Sequence, residues 1–160
     1  MNRKFLGLCI IFLVAVLTMG AVGATNLERH DFDGYFSMDV PEGAAFEKQN
    51  SSTYENGIKI DSISYMSDSM VIFYMATPLL SEYSSYSLYQ TMFESVNSDL
   101  TQCYESQEDN LRILEPTAND TVHFALVGTS SGNKTVLLMG NDVALLKEMG
   151  HTIRFNQADR

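Results

Sequence analysis

Two short stretches limit the fold more than any other feature. "MVIFYMA" at 70–76 and "TVLLM" at 135–139 offer no polar face in either phase of an alternating strand. In the first, Met70, Ile72 and Tyr74 share one side, and Val71, Phe73 and Met75 the other. In the second, Val136 and Leu138 oppose Leu137 and Met139. Strands of this kind lie centrally in a sheet that is covered on both faces. The rest of the chain must therefore supply both covering layers.

The flanking sequence supplies strands in hairpins. "IKIDSISYM" precedes "MVIFYMA" across the turn "SDS", and its apolar phase shifts from Ile58 and Ile60 to Ile63 and Tyr65, which predicts a bulge near Asp61. "TVHFALVG" and "NKTVLLMG" pair across "TSSG", and "LRILE" is a short strand ended by Pro116. "FDGYFSMDVP" alternates, with Phe32, Phe36, Met38 and Val40 on one side, and reads as one strand ended by Pro41. Residues 25–31 read as a polar lead-in, and 42–57 as a loop with Phe46 as a plug. The period then changes. Tyr86, Tyr89, Phe93, Val96 and Leu100 recur at steps of three and four, which predicts a long helix whose end holds Cys103, followed by the loop "ESQEDN". The helix cap can be Ser84 or Ser85. After Gly140, Asn141 or Asp142 can cap a terminal helix that buries Val143, Leu146, Met149 and Ile153, with Gly150 as a possible early stop. The fold class is α+β: a mainly antiparallel six-stranded sheet flanked by the long middle helix and the C-terminal helix, an α/β/α sandwich. A single domain spans 32–155, with 156–160 as a tail.

Residues 1–24 read as an export signal. Arg3 and Lys4 precede an apolar run, and Val22 and Ala24 stand at small-residue positions before a cut. An uncleaved anchor is the alternative, because the run nearly reaches the ~20 residues a spanning helix needs. Cys9 belongs to the run. Removal after Ala24 leaves 136 residues, with eight basic against twenty acidic, a net of −12. That charge argues against nucleic acid and anionic membrane surfaces and suits a basic partner. Only Cys103 would remain, which excludes an internal disulfide and leaves a buried thiol or a bond between chains.

With these elements in order, "FSMDVPEG" and the finish "VLLMGNDVALLKEMGHTIRF" resemble the PsbP-like family of small exported α/β/α proteins. The resemblance implies a central antiparallel sheet with helices on both sides, and accessory proteins that bind other proteins rather than catalyse. It carries over no binding residue.

Candidate chemistry is sparse. "GTSSG", Gly128 to Gly132, matches G-x-S-x-G literally, and Asp142 and His151 could complete a triad with Ser130. A nucleophile elbow needs a helix directly after its serine, whereas a strand follows here. "HDFD" offers His30, Asp31 and Asp33 without the further oxygens of a calcium loop, and His123 reads as a strand residue. No cofactor motif appears, so neither cofactor nor metal is expected and the chain reads as non-catalytic. Asn50, Asn119 and Asn133 head glycosylation sequons in expected loops. The leading expectation is an exported, secreted or cell-surface module that binds a protein. The alternative is a carrier of a small apolar ligand or lipid, in a pocket lined by Phe73, Tyr86 and Phe93 between sheet and long helix.

Overall fold

A computed structural model describes residues 26–55, 58–76, 85–97, 102–117 and 123–156. The export-signal segment, Asn119 and residues 157–160 lie outside them. The strands are β1 (Leu27–Phe32), β2 (Phe36–Pro41), β3 (Glu47–Glu55), β4 (Ile58–Met66), β5 (Met70–Ala76), β6 (Cys103–Glu108), β7 (Leu111–Pro116), β8 (Ala125–Ser131), β9 (Lys134–Gly140) and β10 (Arg154–Phe155). The helices are α1 (Ser85–Val96) and α2 (Val143–His151).

Seven strands form the main sheet in the order β3-β4-β5-β9-β8-β7-β6, and every neighbouring pair is antiparallel. The two strands with no polar face, β5 and β9, lie side by side near its middle, as their composition requires. Their alternate residues enter two separate cores. Val71, Phe73, Met75, Leu137 and Met139 pack under α1 with Leu88, Tyr89, Met92 and Phe93. Ile72, Tyr74, Val136 and Leu138 pack on the other face against Leu145, Leu146 and Met149 of α2 and against Phe32, Phe36, Met38 and Val40. These last four belong to a second sheet of three strands, ordered β1-β2-β10. The molecule is α+β in three layers, but the main sheet has seven strands rather than six, and the outer layer beside α2 is itself a small sheet.

Several corrections share one cause. "FDGYF" is a tight turn and not the middle of a strand. Asp33 (φ 54°) and Gly34 (φ 75°) both take the left-handed conformation inside a three-residue connection, Asp33 to Tyr35, and Tyr35 N–H donates to the Phe32 carbonyl at 3.0 Å. The turn lets Leu27–Phe32 fold back as β1, in place of the expected lead-in, with Phe32 opposite Phe36 and their rings stacked at 4.7 Å. The expected loop at 42–57 contains β3, and the expected helix tail and loop at 98–110 contain β6, which begins at Cys103. In both cases the strand is at a sheet edge and mainly polar, so alternation leaves no trace. Phe46 does pack against the core beside β3.

No bulge interrupts β4. Its register against β3 and β5 is continuous, and Ile60, Ser62 and Met66 are buried on the α1 side while Ile63 and Tyr65 are buried on the other. The apparent phase shift records which face is covered at each point. Gly150 does not stop α2 early. A Cβ there would lie 3.1 Å from both Leu111 Cδ1 and Val127 Cγ1, so glycine lets the helix sit close to the sheet. Asn156 is no free tail, since its N–H donates to the Tyr35 carbonyl at 3.2 Å and its side chain to the Gly34 carbonyl at 2.9 Å.

Candidate functional site

The turns joining β6 to β7 and β8 to β9 lie at one end of the main sheet, where Tyr89 of α1 crosses β8. Gly128 makes this crossing feasible. A Cβ at Gly128 would stand 2.6 Å from Leu137 Cδ2 and 2.9 Å from Tyr89 Cζ. The Tyr89 hydroxyl reaches Ser130 Oγ at 2.6 Å, and Ser130 also bonds Thr135 Oγ1 across the β8–β9 ladder. Beside this hydroxyl cluster opens a cleft of about 270 Å³, lined by Tyr89, Gln107, Asn110, Leu111, Arg112, Gly128 and Ser130. Its rim is polar. Arg112 pairs with Glu105 at 3.3 Å, Asn110 Nδ2 donates to Thr129 Oγ1 at 3.1 Å, and Gln107 Nε2 donates to the Asp109 carbonyl at 3.2 Å.

The G-x-S-x-G match takes its place in this packing. Gly128 accommodates Tyr89, Gly132 (φ 59°) turns the hairpin, and Ser130 sits in a strand that leads into another strand. The turn is Gly132–Asn133, later than the expected "TSSG". Asp142 caps α2 by accepting the Leu145 N–H at 3.0 Å. His151 lies on the layer opposite Tyr89 and Ser130, with Nε2 3.8 Å from Glu108 and Nδ1 4.0 Å from Asp109. The three residues of the literal triad are not brought together.

The remaining expected sites are dispersed. The His30 ring meets Phe32 edge-on at 4.6 Å, Asp31 accepts the Gly34 N–H at 2.7 Å, and Asp33 binds Lys48 at 2.8 Å and the Tyr65 hydroxyl at 2.7 Å. These two partners hold the Asp33 carboxyl below its ordinary range, Lys48 first. Burial, followed by the bond to Asp33, pushes the Tyr65 phenol well above its ordinary value. His123 is buried just before β8 rather than within it. Among the described residues no trio of His, Cys, Asp or Glu is placed to hold a metal. Phe73 and Phe93 are closed into the core under α1, at 1% and 2% exposure, and the Tyr86 side chain lies outside the described residues. Asn50 is exposed on β3 and not in a loop, whereas Asn133 is exposed at the β8–β9 turn.

The surface feature that the sequence did not announce is β6. It ends the main sheet, and among the described residues no strand pairs with its outer side. Tyr104 on it is 68% exposed, against 40% for Tyr35, which leans on Tyr74 at 5.0 Å. Cys103 is partly buried, its thiol 3.9 Å from Gln90 Oε1, and burial raises its pKa, so it behaves as a packing residue.

No family model matches the sequence, and no curated protein does. Among solved structures the chain is similar to cyanobacterial PsbP (CyanoP) from Synechocystis sp. PCC 6803, solved in solution. Identity is 12% and the TM-score 0.43, over 86% of this chain and 97% of that one. This is a weak PsbP-like resemblance, and it assigns no function to the chain.

Proposed function

We propose that the chain is an exported, non-catalytic module that binds a protein partner at the cell surface. The observation that carries this reading is the outer edge of β6, with which no described strand pairs, and which bears the most exposed large apolar side chain among the described residues, Tyr104. Natural proteins guard such edges or use them, because an unpaired row of N–H and C=O groups is a template for another chain. The basic start, apolar run and small-residue end of residues 1–24 support export. The structural tasks of Gly128 and Asp142, and the separation of Ser130 and His151 onto opposite sides of the sheet, support the non-catalytic reading. A photoreactive benzoylphenylalanine in place of Tyr104 should cross-link the protein to a defined partner on intact cells, whereas the same group at exposed Glu148 on α2 should not. Equal labelling from both positions, or none from either, would reject β6 as the binding surface.

A further inference from the structure

Resting on that reading, we propose that the partner binds as an extended, basic segment added to β6 as an eighth strand of the main sheet. The hydrogen-bond pattern of the edge follows from its hairpin. Asp109 and Asn110 form a two-residue turn, so Glu108 and Leu111 are the mutually bonded pair that closes it. Bonding alternates along an antiparallel pair. Ser106 and Tyr104 therefore bond inward to Ile113 and Glu115, while Gln107, Glu105 and Cys103 turn their N–H and C=O groups outward. Pro116 fits this phase: it stands opposite Cys103, where β7 owes β6 no donor.

The side chains around the edge select the charge of the guest. Glu105 and Glu108 lie on β6, Asp109 in its turn, Glu115 opposite Tyr104 on β7, and Glu94 exposed on α1. Among the described residues two permanent cations face these five carboxylates, Arg112 paired with Glu105 and Lys147 with Glu108, and the His151 ring stands near Glu108 and Asp109. Carboxylates outnumber cations around this edge, so lysine or arginine on the added strand would meet a net negative surface, and Tyr104 offers an open ring face for a cation. A second copy of the chain is the poorer guest, because antiparallel pairing of β6 with itself sets this acidic strand against its own charge. The other outer strand, β3, has Lys48 near its start, and no exposed large apolar residue is described on it.

The test uses the purified protein and a short alternating lysine–valine peptide, with the glutamate–valine peptide as control. The lysine peptide should bind, and amide exchange at Gln107 and Glu105 should slow. Glu105→Pro removes one outward N–H without costing β7 a bond, so it should weaken binding by about tenfold, as expected for one or two main-chain bonds. Glu105→Gln keeps the N–H and should weaken binding by only about threefold. A lysine peptide with its alternate amides N-methylated should not bind, which tests the same bonds without altering the protein. Equal affinity for the glutamate peptide, indifference to Glu105→Pro and to N-methylation, or a dimer of the chain that protects Gln107 would each overturn the proposal. A cross-link from position 104 to a cell-surface protein without protection of Gln107 would overturn strand addition alone and leave the binding reading standing.

Discussion

Single residues in this molecule act mainly through where they allow others to sit. Gly128 and Gly150 make the point on opposite faces of β8. The first admits the Tyr89 ring, the second brings α2 onto Leu111 and Val127. Gly150→Ala gains up to about 1 kcal/mol of helix propensity but crowds two side chains with no exposure, so a small net loss should result. Gly128→Ala has no such compensation and a tighter clash. It should cost about 1–3 kcal/mol in denaturant melts and should disturb the Tyr89 to Ser130 bond, visible as a shift of the Tyr89 ring resonances. The contacts of Asp33 with Lys48 and then Tyr65 set a pH window. Asp33 is depressed, so its stabilisation is complete above about pH 4 and is lost as pH falls through the lower folded value. Tyr65 is raised, so its stabilisation is complete below about pH 10 and is lost on further alkalinisation. Thermal melts across pH should show both limbs in the wild type. Asp33→Asn should flatten the acid limb and Tyr65→Phe the alkaline one. Unchanged limbs would mean that these contacts and the burial of Tyr65 contribute nothing to folding.

At the scale of elements, what could be read from sequence was what is buried. β5 and β9 were legible because every side chain has a covered destination, and α2 because Asp142, Leu146, Met149 and Ile153 fall at capping and core positions. β1, β3 and β6 were illegible because a sheet edge exposes most of its residues, and polarity then follows solubility rather than period. The exception is β1, since Asp33-Gly34 between apolar runs is itself a strong turn signal, and the alternation that runs through it hides the turn. The cleft was out of reach for another reason. Gln107, Arg112 and Gly128 become neighbours only through strand register, and nothing local in any of the three segments refers to the others. α2 is the element whose removal should matter most. Ending the chain at Gly140 strips Leu145, Leu146, Met149 and Ile153 from one core, each worth about 1.5–3 kcal/mol when buried. That sum is comparable to the ~5–15 kcal/mol of a whole domain. The truncated protein should show no cooperative thermal transition; a sharp one at the wild-type temperature would demote α2 to a peripheral role.

Across the whole molecule, the two faces of the main sheet are closed by very different routes along the chain. Beneath α1, the covering helix lies between β5 and β6, in the middle of the sequence. The opposite face depends on segments from both ends. Ser37 pairs with Arg154, the Asp39 N–H donates to Thr152 Oγ1 at 2.8 Å, and Arg29 Nη1 donates to the Thr152 carbonyl at 2.8 Å, contacts that span 113 and 123 residues in the last two cases. Loop closure over such separations must precede any reward from the contacts it brings, which slows folding. A chain emerging from the ribosome thus holds one half of its sheet bare until residues 143–155 arrive. During that interval Ile72, Tyr74, Val136 and Leu138 are open to whatever else is near: a chaperone, a translocation channel or another unfinished copy. The join between β2 and β10 is in this sense a timer as well as a seam, since this face of the sheet closes only once residues 143–155 are in place.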